Sequence, residues 1–122
     1  MRSFETHSDF EEYWNGTAVP TKPIGVRKDD GAFLVYFTAS WSGACRRLNL
    51  DEIELAAKSV GLPLWKVEQT NNDLTAGFCD VISLPTFVLI KDKKIVSRIS
   101  NGDSEMFINW IKSHEFKKPG IM

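Results

Sequence analysis

Histidine and cysteine are scarce in this chain, with two of each among 122 residues. Two cysteines, Cys45 and Cys79, are too few for a disulfide scaffold or a four-sulfur metal site. His7 and His114 lie at opposite ends of the chain and share no ligand spacing, so no metal or cofactor is expected. Long apolar runs are missing. The most apolar block, Phe87 to Ile90, falls far short of the ~20 residues a membrane helix needs. The first residues, Met1 to Glu5, carry one basic side chain and no apolar stretch, which predicts no secretory leader. An excess of either charge is also missing: 15 Lys and Arg against 16 Asp and Glu leave a formal charge of −1. That balance argues against nucleic acid or a membrane surface as a main partner. Gly (8) and Pro (5) are too few for a disordered or fibrous chain.

What is present is ordinary for a globular domain: 43% hydrophobic and 25% charged residues. A chain of this length buries roughly two-thirds of its unfolded surface and needs no disulfide staples. The expectation is one soluble, cytoplasmic domain over 1–122, with 115–122 as a frayed tail.

Phe4 to Thr6 reads as a short first strand. Ser8 with Glu11 forms a capping-box pattern, and Phe10, Tyr13 and Trp14 give the following helix its apolar face. Residues 15–31 hold Pro20, Pro23 and Gly25 and read as a long surface loop. Phe33-Leu34-Val35-Tyr36-Phe37 is short and continuously apolar, the pattern of a strand buried on both faces. From Ala44 to Val60 apolar residues step by three and four, which predicts a single helix ending at Gly61. Leu64 to Glu68 reads as a strand. Asn71-Asn72-Asp73 caps a short helix through Leu74 and Phe78. Thr86 to Ile90 and Ile95 to Ser100 read as an antiparallel hairpin turning at Lys91 to Lys94. Asp103 or Ser104 caps a last helix, with Met106, Phe107, Trp110 and Ile111 facing inward. Alternating strands and helices imply an α/β fold, a mixed sheet with helices on both faces. In such sheets function gathers beyond the carboxyl ends of the strands, which points to the loop Thr38 to Gly43.

That loop leads into Trp41-Ser42-Gly43-Ala44-Cys45. It resembles the active-site motif of the thioredoxin family, Trp-Cys-Gly-Pro-Cys, with Trp41, Gly43 and Cys45 matching. Ser42 stands in place of the first Cys and Ala44 in place of the Pro. Ile82-Ser83-Leu84-Pro85-Thr86 resembles the segment around the family's cis-proline. Lys66 sits where the family often has a lysine in the central strand. Gly102 matches a glycine that follows the last strand and faces the site. The likeness spans about Phe33 to Ile111 and implies the thioredoxin fold. Two further departures are Tyr36, where thioredoxins proper have a buried Asp that moves a proton, and the long loop 15–31.

Thiol–disulfide exchange needs a thiolate nucleophile. Its acidity is raised by a helix N-terminus, and a two-residue spacing lets a second sulfur close the disulfide. By the resemblance, position 42 is the nucleophile's place and Cys45 the resolving thiol. Trp41, Gly43, Ala44, Leu84, Pro85 and Gly102 would border the substrate, and Lys66 would turn its charge toward the site. A hydroxyl at 42 forms no disulfide and stays protonated without a base. A hydrolytic role for Ser42 would need a nearby histidine, and neither His7 nor His114 is placed there by the sequence. Cys79 reads as a structural thiol, with a regulatory role as the alternative.

Two functions follow. In the preferred one, the protein is a disulfide oxidoreductase and Ser42 is an engineered, inactivating replacement of Cys. Its partners would be disulfide-bearing proteins and a reductant such as thioredoxin reductase or glutathione, and it would be a monomer or weak dimer. In the other, Ser42 is natural and the domain is a redox-silent module that holds a peptide between Trp41 and Pro85. The retention of Cys45 favours the first.

Overall fold

The structure, a computed structural model, describes residues 1–15 and 32–114. The expected loop over 15–31 and the tail over 115–122 therefore fall, but for Asn15, outside the described residues. Ten elements run β1 (Arg2–Ser3), α1 (His7–Trp14), β2 (Phe33–Thr38), α2 (Gly43–Arg46), α3 (Leu50–Ser59), β3 (Leu64–Glu68), α4 (Asp73–Phe78), β4 (Thr86–Lys91), β5 (Lys94–Ser100) and α5 (Ser104–Ser113). The strands form one mixed sheet ordered β1-β3-β2-β4-β5. β1 and β2 pair parallel with β3, while β4 is antiparallel to β2 and β5. No described helix is long and apolar enough to cross a membrane.

The continuous apolar run of β2 is explained by burial on both faces. Phe33, Val35 and Phe37 point into a core with Phe4, Phe10, Tyr13, Trp65 and Cys79. Leu34 and Tyr36 point into a second core with Ile53, Phe87, Phe107 and Ile111. Side chains alternate across a strand, so each face takes every second residue. A large side chain fully buried there contributes roughly 1.5–3 kcal/mol.

Four local expectations need correction. The first strand is Arg2–Ser3 rather than Phe4 to Thr6. Phe4 instead donates its N–H to the Lys66 carbonyl and stacks its ring on Trp65, with centroids 4.3 Å apart. Thr6, not Ser8, caps α1: its hydroxyl accepts from the Asp9 N–H while the Asp9 carboxylate accepts from the Thr6 N–H. Two capping-box patterns overlap here, and the earlier one gives the longer helix, which spreads the cost of nucleation over more hydrogen bonds.

The long helix from Ala44 to Val60 is two helices. Asn49 breaks it, with φ −89° and ψ 87°. Its side chain accepts from the Glu52 N–H, and its own N–H donates to Ser104 Oγ at 2.7 Å. Asn offers the backbone an alternative to helix hydrogen bonds, and the partner on α5 makes that alternative win. Met106, expected to face inward, is 42% exposed. It lies over Gly102, where an added Cβ would meet Met106 Sδ at 2.8 Å.

The hairpin turn narrows to Asp92 and Lys93, with φ of 53° and 60°. Two positive φ values match the right-handed twist of the strands they join. Asp103 caps α5 by accepting from the Met106 N–H at 2.9 Å.

Candidate active site

The site grows from the carboxyl end of β2. Thr38 ends that strand, and the chain turns through Ala39, Ser40 and Trp41 before α2 starts. The turn is fastened from β3: the Ser40 N–H donates to Glu68 Oε2 at 3.1 Å, and the same oxygen accepts from the Thr70 hydroxyl. Arg46 fastens it from α2, donating to the Ser40 carbonyl at 2.8 Å.

Ser42 is the N-cap of α2, and its Oγ accepts from the Cys45 N–H at 3.2 Å. The short polar side chain suits that place because it satisfies a backbone donor that the first turn leaves free. Ser42 is 8% exposed and Cys45 4%, while Trp41 is 67% exposed. Ser42 and Cys45 are thus both nearly buried, while the Trp41 side chain beside them stands in solvent. Neither histidine attends Ser42. His7 pairs through Nδ1 with Thr75 Oγ1 at 2.8 Å, and His114 meets the edge of Trp110.

Tyr36 is buried beside Cys45 and donates its hydroxyl to Thr38 Oγ1 at 3.1 Å. Burial first, and the neighbouring Cys45 and Glu68, push its pKa up to about 12 against the opposing effect of the Thr38 hydrogen bond. The phenol therefore stays neutral across the working range of a thiol.

The Leu84–Pro85 peptide bond is cis. Leu84 and Pro85 border a groove of about 340 Å³ together with Ala44, Arg47, Gly102 and Asp103. The structure therefore brings Ala44, Leu84, Pro85 and Gly102 to one groove. Lys66 stands opposite Tyr36 in the β2–β3 register and lines a smaller cavity with Glu5, Glu68 and Asn71. Its connection to the loop runs through that shared cavity with Glu68.

Cys79 is fully buried in the core of Phe4 and Trp65. Burial pushes its thiol up to about 12, although the Arg98 guanidinium, which donates to the Cys79 carbonyl, pulls the other way. A thiol sealed and held protonated is an inert packing group, which supports its structural reading over the regulatory one. Sequence reasoning missed Glu68, the anchor of the loop, and the pair Arg46 and Arg47. The first carries no local signal. The second does, as an Arg-Arg step directly after Cys45. Among the described residues, no group of three or more His, Cys, Asp or Glu side chains could hold a metal ion.

A mixed sheet of this order, flanked by helices on both faces, is the α/β architecture of the thioredoxin fold. The thioredoxin family model matches residues 24–113, and the chain belongs to the thioredoxin family. Thioredoxin of Geodia cydonium is 36% identical over 80 residues, covering 64% of this chain and 76% of that protein. Thioredoxin-like protein R548 of Acanthamoeba polyphaga mimivirus is 32% identical over 75 residues, and the match spans 55% of its length. The crystal structure of Fasciola hepatica thioredoxin superimposes with a TM-score of 0.73 at 30% identity, covering 93% of this chain and 99% of that one. The family is one of thiol–disulfide oxidoreductases, which act on disulfide-bearing proteins and draw on a reductant.

Proposed function

We propose that this domain is a protein-disulfide reductase in design, with position 42 as the nucleophile's place and Ser42 as its inactivating replacement. The observation that carries the reading is the bond from the Cys45 N–H to Ser42 Oγ, with the Cys45 thiol buried directly behind. The side chain at 42 already lies within hydrogen-bond reach of the Cys45 backbone, in the turn that holds the second position. With sulfur there, a 42 thiolate attacks a substrate disulfide, forms one S–S bond and releases a thiolate that takes up a proton. The Cys45 thiol then loses its proton to solvent and attacks the 42 sulfur, and the second substrate sulfur leaves as a thiolate that takes up a proton, with a 42–45 disulfide left behind. Two electrons have passed to the substrate, and thioredoxin reductase or glutathione restores the pair.

Substrate backbone would lie along Leu84 in the groove by strand addition, with Trp41 as an apolar contact. The reading places the protein in a reducing compartment such as the cytoplasm, as a monomer or weak dimer. The rival reading, a redox-silent peptide-binding module, keeps Ser42 as a cap and uses the same groove of Leu84 and Pro85 to hold a peptide.

A trap separates them. Ser42→Cys with Cys45→Ser should form a stable mixed disulfide with a cystine-containing peptide, visible by mass spectrometry. No adduct under conditions where free cysteine reacts would leave the binding module standing.

A further inference from the structure

The two side chains after Cys45 turn back over the mouth of the site. A Cβ placed on Gly43 would lie 3.4 Å from Arg47 Nη1 and 3.8 Å from Arg46 Nη2. Both guanidinium groups therefore hang over the residue next to position 42. Both side chains are exposed, and among the described residues neither forms an ion pair. Arg46 is held in place by its bond to the Ser40 carbonyl. Arg47 lines the groove of Leu84 and Pro85. Glu68 accepts from Ser40 and Thr70, and Asp103, which lines the same groove as Arg47, caps α5. The groove thus carries one cationic side chain, Arg47, and one anionic side chain, Asp103, with Arg46 close by over Gly43.

We propose that Arg46 and Arg47 form a clamp for a carboxylate beside the substrate's cysteine, so that the preferred partner is an acidic polypeptide segment. Two like charges held close together without counter-ions repel, and an anion between them relieves that repulsion. A planar guanidinium offers a carboxylate two parallel N–H donors, and Arg46, already held by its bond to Ser40, loses little freedom on binding. The clamp rests on the reading of position 42 as the reacting place, but it acts on binding and needs no sulfur.

The test is a chemical-shift titration of the protein as it stands, with Ser42. Three linear peptides are compared, identical except for Asp, Asn or Lys on either side of a central Ser. Shifts of the Trp41 indole N–H and the Leu84 amide report occupancy of the groove. At low ionic strength the Asp peptide should bind about fivefold tighter than the Asn peptide, the scale of two exposed ion pairs. The preference should shrink as added salt shortens the screening length below ~8 Å. It should approach one in Arg46→Gln/Arg47→Gln, and Arg47→Glu should turn it toward the Lys peptide. Equal affinities, no shifts at Trp41 and Leu84, or a preference that survives the double substitution would overturn the clamp. An acidic preference together with a Ser42→Cys protein that reduces no disulfide would overturn the redox reading alone.

Discussion

The hydroxyl of Ser42 accepts the backbone N–H of Cys45 at 3.2 Å, so the two positions of the expected redox pair are joined by a capping hydrogen bond. That bond explains how serine fits where chemistry would want sulfur. It fixes the first turn of α2 from residue 42. In the proposed reading, residue 42 is both the cap of that turn and the place where a nucleophilic sulfur would stand.

The cap sets the first prediction. Ser42→Ala deletes the acceptor and leaves the Cys45 N–H without it at a nearly buried place. Stability should fall by about 1 kcal/mol, the usual worth of an N-cap. Urea unfolding would read this as a lower midpoint with an unchanged slope.

Alkali sets the second. Cys79 and Tyr36 both have pKa values raised in the folded state to about 12, from 9.0 and 10.0. Each raised value favours the folded protein below the unfolded pKa, and that advantage disappears as pH climbs through the folded value. Stability should therefore drop between about pH 9 and 12, as the unfolded chain gives up protons that the folded one retains. Cys79→Ala should flatten this decline while costing ~1–2 kcal/mol at neutral pH. Tyr36→Phe should flatten its upper part. Thiol labelling of the native protein should be slow at Cys79; rapid labelling would restore the regulatory reading.

Acidity at position 42 sets the third. The helix there, α2, has only four residues, so its dipole is shorter than a continuous Ala44–Val60 helix would have supplied. The guanidinium groups of Arg46 and Arg47 lie over Gly43 and add their own field. In Ser42→Cys the new thiol should titrate below the free value of ~8.5. Arg46→Gln/Arg47→Gln in that background should raise it again. Iodoacetamide alkylation rates against pH would show both shifts.

Much of the fold was legible because local signals and burial agree. The apolar block Phe33 to Phe37, the strand after Pro85 and the caps at Asn72 and Asp103 carry their own reasons for their form. The break at Asn49 was hidden because its deciding partner, Ser104, lies on another helix. The first strand was displaced because Phe4 is fixed by Lys66 and Trp65, which only the folded sheet brings near. Within the site, Trp41, Ser42, Cys45 and Pro85 were readable through the family likeness. Lys66 was readable the same way, but Glu68 was not, since only the folded sheet brings its carboxylate to the Ser40 N–H.

The most direct test of the central claim is insulin-disulfide reduction with dithiothreitol as electron source. The protein with Ser42 should give no acceleration over dithiothreitol alone. Ser42→Cys should form a 42–45 disulfide on oxidation and switch catalysis on. Its turnover should trail that of a thioredoxin with a buried carboxylate, because the Tyr36 phenol stays protonated. A Ser42→Cys protein that closes its disulfide yet leaves insulin intact, or a Ser42 protein that already reduces it, would contradict the account.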